Sequence, residues 1–218
     1  LKTFLENPSK ALWSLAIPIM FGMGIHTLYN LVDMIFIGRL GGDTIAGIAF
    51  NMPLFFLMLG LTMGLGTGVT ASIARFIGEN NKSNADNSAE HALALGAIIS
   101  LIFTSLGLVY GQDILKSLGA DGKILELGWD YLFVICIGLP FMIFSGFFRS
   151  ILAGEGDMKF PMIVAALGTI LNIILDPLFI FELKQFGSIG FGLGVKGAAI
   201  ATVISQATVF VIFIFMLF

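Results

Sequence analysis

Residues 160–181 read FPMIVAALGTILNIILDPLFIF. A helix needs about 20 largely apolar residues, at 1.5 Å each, to cross the ~30 Å hydrocarbon core of a bilayer, and this run has the length. It also carries an amide, Asn172, and a carboxylate, Asp176, followed at once by Pro177. A charge in hydrocarbon is costly. An internal proline has no N–H to give and frees the carbonyl one turn earlier, here that of Ile173. A span that keeps both features needs something to compensate them.

The surrounding composition places the run in a membrane protein. The chain has 218 residues, 57% hydrophobic and 11% charged, with mean hydropathy +1.00. Soluble domains carry about 25% charged residues, so this chain lacks the usual polar coat. Its eleven basic residues are scattered and its net charge is −3, which gives no basic stripe for nucleic acid. The single cysteine, Cys136, excludes a disulfide within the chain.

Six apolar runs are long enough to span, near residues 11–38, 45–74, 89–110, 128–148, 160–181 and 197–218. Lipid offers backbone groups no partners, so each is expected to be helical. The fold expected is an all-α, multi-pass bundle of six transmembrane helices. The chain begins with Leu1 and ends in VFVIFIFMLF, so a longer parent protein is expected. Lys2, Lys10, Arg75, Lys82, Arg149 and Lys159 lie on one side, against Arg39, Lys116, Lys123, Lys184 and Lys196 on the other. Six against five leans towards a cytoplasmic N-terminus.

A second carboxylate, Asp33, stands in the first span, within YNLVDMIFIG. The first and fifth spans cross in the same direction, and each acid lies about five residues, roughly 7–8 Å, before the end of its span. The two therefore share one layer, and on neighbouring helices they could share one site. Asn172 and Asp176 are four apart, and His26, Asn30 and Asp33 follow i, i+4, i+7 on one helix face. Thr202, Ser205 and Gln206 come from the sixth span, and Tyr131 enters from the same side on the fourth. Plainer roles stand beside these: an interface position for Asp33, a packing role for His26, an interface anchor for Tyr131, and a bond from Thr202 to its own helix backbone. Pro18 frees the Ser14 carbonyl as Pro177 frees that of Ile173, and both prolines suit helices that bend between states. Two neighbouring carboxylates in a low-dielectric layer repel, and a bound proton or small cation relieves the cost. Carboxylate, amide and hydroxyl oxygens are the hard donors that Na⁺ prefers, by analogy with other hard cations, so Na⁺ at Asp33, Asn172 and Asp176 is one expectation and H⁺ the other.

NLVDMIFIGRLG, TASIARFIGENNKSNA, RSILAGEGDMKFPM and NIILDPLFIF, in this order and at these spacings, resemble the multidrug and toxic compound extrusion (MATE) family. The resemblance covers nearly the whole chain. It implies one lobe, the N-terminal, of a two-lobe, twelve-helix transporter in the plasma membrane, with residues 1–218 forming that lobe and the C-terminal lobe absent from the sequence. It implies a secondary antiporter that exports drugs or organic cations against H⁺ or Na⁺ entry by alternating access. The expected partners are therefore the bilayer, small organic substrates and the second lobe. In the archaeal and related bacterial branch, a cation site is built from residues matching Asp33, Asn172, Asp176 and Thr202, with a supporting tyrosine matching Tyr131. His26 stands where relatives often carry Gln.

Two other functions fit parts of the pattern. A lipid or polysaccharide flippase of the same superfamily would share the fold, although this lobe offers few basic groups for an anionic cargo. An intramembrane aspartyl protease would use two membrane acids as general acid and base, and Gly154-Glu155-Gly156-Asp157 matches its GxGD pattern, but no YD partner exists. GLGTG lacks the Gly-Lys-Ser/Thr of a phosphate loop. No enzymatic role, catalytic residue or cofactor beyond the coupling ion is expected.

Overall fold

The computed structural model describes residues 8–182 and 190–217. Among them seven helices follow one another, with no strand between. Helix α1 (Pro8–Gly38) opens on a proline, which suits a first helical position where no N–H is needed. It is followed by the short α2 (Gly42–Ala49), then α3 (Met52–Gly78), α4 (Lys82–Ser117), α5 (Gly122–Glu155), α6 (Lys159–Ile180) and α7 (Gly194–Leu217). The helices α3 to α7 are five that are long and apolar enough to cross a bilayer, and α1 has the length, 31 residues. Exposed Leu, Ile, Phe and Met side chains cover their outer faces, as lipid contact requires. This is a multi-pass helical membrane protein.

The helices overrun most of the expected spans, because polar flanks such as Lys82–Glu90 stay helical beyond the apolar core. The second run departs from expectation. Residues 45–74 form two helices that break at Phe50–Asn51. Pro53, in the first turn of α3, has no N–H with which to carry α2 onward. Asn51 fills the break: fully buried, it donates from Nδ2 to the carbonyls of Gly47 and Gly128, each at 3.1 Å. That bond ties α2 to α5 where both backbones meet. A Cβ on Gly128 would lie 2.8 Å from the Gly47 oxygen, so only glycine allows the crossing.

The segment RSILAGEGDMK, expected as a loop, is helical as far as Glu155. The turn is then confined to Gly156, at φ 87°, and the two residues after it. The Asp157 N–H closes back on the Leu152 carbonyl at 2.9 Å, a Schellman ending that needs the left-handed glycine. Asp157 Oδ1 accepts from the N–H groups of Lys159 and Phe160, at 3.0 and 3.2 Å, and so starts α6. The GxGD pattern is therefore a cap between two helices. Roughly 28 Å of helix separates Asp157 from Asp176, too far for the two to act as the acid and base of a protease.

Helix α5 is the hub. It packs against α2, α3, α4 and α7, while α6 packs against α1 and α7. Phe147, Ile135 and Ile143 of α5 are almost wholly enclosed. Pro140 interrupts α5 and frees the carbonyl of Cys136, and Thr104 of α4 donates its hydroxyl to that oxygen at 3.1 Å. Without water in the core, a neighbouring hydroxyl is one of the few groups that can meet this need. At the far end of α6, the carbonyls of Leu178, Phe179 and Phe181 accept from Phe191, Leu193 and Gly192 at 2.8–2.9 Å, which folds the chain back into α7.

Candidate cation-coupling site

The packing of α6 against α1 and α7 brings three expected contributions together. Asn172 and Asp176, one turn apart on α6, are both fully buried, and Thr202 on α7 is largely so. Asp33 comes from α1, half-buried, and its carboxyl group interacts with that of Asp176. Turned so that both ends of its amide are satisfied, Asn172 donates from Nδ2 to Asp176 Oδ2 at 2.9 Å and accepts from the Thr202 N–H at 3.2 Å. The Thr202 hydroxyl lies 3.5 Å from the same amide and donates to the Ala198 carbonyl at 3.0 Å. Both readings of Thr202 thus hold at once: it bonds its own helix and it touches the site.

Two features bear on what the site can hold. Two bare carboxylates facing one another away from water repel, so a bound proton or cation stabilises the pair. Asp33 Oδ1 is buried with no hydrogen-bond partner, and a buried polar atom left so costs about 1–3 kcal/mol. A hard cation, a proton or a water would each satisfy that oxygen. The donor set of two carboxylates, an amide and a hydroxyl fits a hard cation in chemistry.

Apolar groups join the same two helices beyond the pair. Phe36, three residues beyond Asp33, meets Phe181 edge-to-face with ring centroids 6.0 Å apart. This contact joins the ends of α1 and α6. Tyr131 is buried on α5, its ring edge-to-face with Phe55 of α3 at 6.1 Å. Next to it Asp130 pairs with Lys196 of α7 at 3.0 Å, which places Tyr131 at the same end of the bundle as the acids. Pro177 lies inside α6, which continues to Ile180. The side chains of Pro18, His26 and Asn30 lie outside the described residues, as does Lys184.

Several contributors escaped the sequence reading. Asn51 sits at the edge of an apolar run, where a polar residue looks like an interface. Thr104 gave no signal at all. Pro140, in ICIGLPF, was as visible as Pro177 and would have predicted an orphan carbonyl in α5. The Asp130–Lys196 pair spans 66 residues of sequence and could not be matched in advance.

Known proteins agree with this architecture. Residues 18–178 match the MatE family model. The chain is 31% identical over 196 residues to a FAD transporter of Shewanella oneidensis, covering 90% of this chain and 42% of that protein. It is 31% identical over 206 residues to the multidrug export protein MepA of Staphylococcus aureus, covering 94% and 44%. A solved structure of a multidrug resistance MATE transporter of the MOP superfamily, in an outward-facing conformation, superposes with TM-score 0.88 at 36% identity, over 97% of this chain and 45% of that one. The chain thus spans less than half the length of these relatives. Motifs, fold and family match coincide, and the chain belongs to the MatE family of membrane transporters.

Proposed function

We propose that the chain is the N-terminal lobe of a cation-coupled exporter in the plasma membrane, and that Asp33 and Asp176 carry the coupling ion. The observation that carries this reading is the meeting of the two acids, beside Asn172 and Thr202, between α1, α6 and α7. Binding H⁺ or Na⁺ there removes a repulsion between helices α1 and α6. Losing the ion restores it, so the packing of the two helices depends on occupancy. That gives two states whose balance the ion sets, the thermodynamic requirement for coupling. Asn172, turned to donate to Asp176, supports H⁺ as the occupant. Na⁺ would ask Asn172 to present its oxygen instead.

The second lobe, needed for alternating access around a central cavity, is expected in the full-length protein. Substrates are expected to be bulky organic molecules. Two named relatives, a multidrug exporter and a FAD transporter, make organic cations and flavins the first cargoes to assay. In cells producing the full-length protein, Asp176→Asn is expected to abolish drug resistance while the protein still reaches the membrane. Resistance equal to wild type at equal expression would remove the coupling role.

A further inference from the structure

Every basic residue of the described segments but one lies within about a turn of a helix end. The exception is Arg149, about six residues, roughly 9 Å, inside the end of α5. It pairs with no carboxylate among the described residues, and an ionised side chain within a span marks a substrate or ion path by default. Its neighbours fix the direction it faces. Gly146 and Ser150 pack on α3, at Thr62 and Gly66, while Phe148 packs on α7, at Phe210 and Phe213. By helical spacing Arg149 stands between these two rows, on the side away from the exposed Phe133 and Ile137. It therefore faces the gap between α3 and α7, which do not pack closely on each other. The side chain is accessible and yet deeply surrounded by protein, the combination that a cleft produces.

Two more polar groups belong to this cleft. Ser145, one turn before Arg149 on the same face, is 1% exposed, and its hydroxyl has no hydrogen-bond partner. Long helical side chains lean towards the N-terminus of their own helix, which brings the Arg149 stem over Ser145. Gln206 of α7 is half-buried and makes no hydrogen bond among the described residues. It stands between Thr202, which meets α6 at Asn172, and Val203, which meets α5 at Gly138, and opposite the exposed Ile204 and Val211. The contacts of Val203 with Gly138 and of Phe213 with Phe148 put Gln206 about one turn from the level of Ser145. Met63 of α3, exposed and opposite the α4-facing Gly68 and Ser72, adds an apolar wall.

We propose that Arg149, Ser145 and Gln206 bind the carboxylate of an amphipathic organic acid carried as cargo. The guanidinium fork matches a carboxylate through two parallel bonds, the Ser145 hydroxyl and Gln206 amide donate to its remaining lone pairs, and the deformable Met63 side chain meets the apolar body. The inference rests on the reading of this chain as a transporter lobe, but not on its coupling site, since roughly 27 Å of helix separates Arg149 from Tyr131 at the acids' end.

The test measures, by fluorescence and without any ion gradient, the binding of dansyl-phenylalanine and of its isosteric carboxamide to the full-length protein in phosphatidylcholine nanodiscs. The acid is expected to bind at least about tenfold more tightly than the amide, the value of hydrogen bonds to a charged group. Arg149→Gln should abolish that preference by weakening the acid alone, Arg149→Lys should keep part of it, and Ser145→Ala should weaken the acid about threefold. A wrong coupling site would leave all of these affinities as they are, because no gradient is used. Equal affinity for acid and amide in the wild-type protein would overturn the proposal, whether or not the variants fold. A preference that survives in Arg149→Gln would overturn it too. So would a preference that disappears when a minor fraction of the lipid is phosphatidylglycerol, since the guanidinium would then belong to a lipid phosphate.

Discussion

At the scale of single residues, the site was legible where chemistry and place disagree. Asp176 and Asp33 stood out because a carboxylate in an apolar run demands a partner, and helical spacing supplied Asn172 at once. Nothing in the sequence said that the partner of Asp176 would be Asp33 itself. Equal depth was only a necessary condition, and the packing of α1 on α6 supplied the rest. Asn172 holds the pair in register by donating to Asp176 and accepting from Thr202. Asn172→Leu removes both bonds while keeping volume, so it is expected to destabilise the lobe by about 1–3 kcal/mol. A lowered thermal midpoint in mild detergent would show this, and an unchanged midpoint would mean the amide contributes nothing to packing. Asn51 was not legible, because a polar residue at the edge of a span normally faces headgroups. Here it is wholly enclosed and bridges two backbone carbonyls.

At the scale of elements, the runs that became helices were plain from hydropathy, but their ends and breaks were set by backbone chemistry that hydropathy does not register. The apolar run from residue 45 to 74 is nearly continuous, yet Pro53 and the close approach of Gly47 to Gly128 divide it. Gly128→Ala would push a methyl against the Gly47 oxygen, and overpacking of this kind costs about 1–3 kcal/mol. Helix α5 offers a sharper test. If Thr104 serves the carbonyl that Pro140 leaves free, Thr104→Val should cost about 1 kcal/mol, read from unfolding midpoints. In a Pro140→Ala background, residue 140 regains an N–H for Cys136, and the same Thr104→Val change should then cost close to nothing. A double-mutant cycle isolates that coupling. Equal costs in both backgrounds would mean that Thr104 does not answer the proline.

At the scale of the whole molecule, one hub helix and one peripheral cluster divide the labour. Helix α5 binds α2, α3, α4 and α7 into a body, and α1 joins that body chiefly through α6. An ion that changes the contact between α1 and α6 therefore acts on the contact that chiefly holds α1 to that body. The two-lobe plan came from resemblance and agrees with the share of each relative that this chain matches, whereas composition alone reached no further than a helical membrane bundle. The most direct test of the central claim is substrate efflux by the full-length protein in proteoliposomes, under Na⁺ and pH gradients imposed separately. Wild type is expected to respond to one gradient, with the pH gradient favoured by the Asn172 amide donating to Asp176, and both Asp33→Asn and Asp176→Asn are expected to lose that response. Gradient-driven efflux that survives intact in both variants would contradict the account.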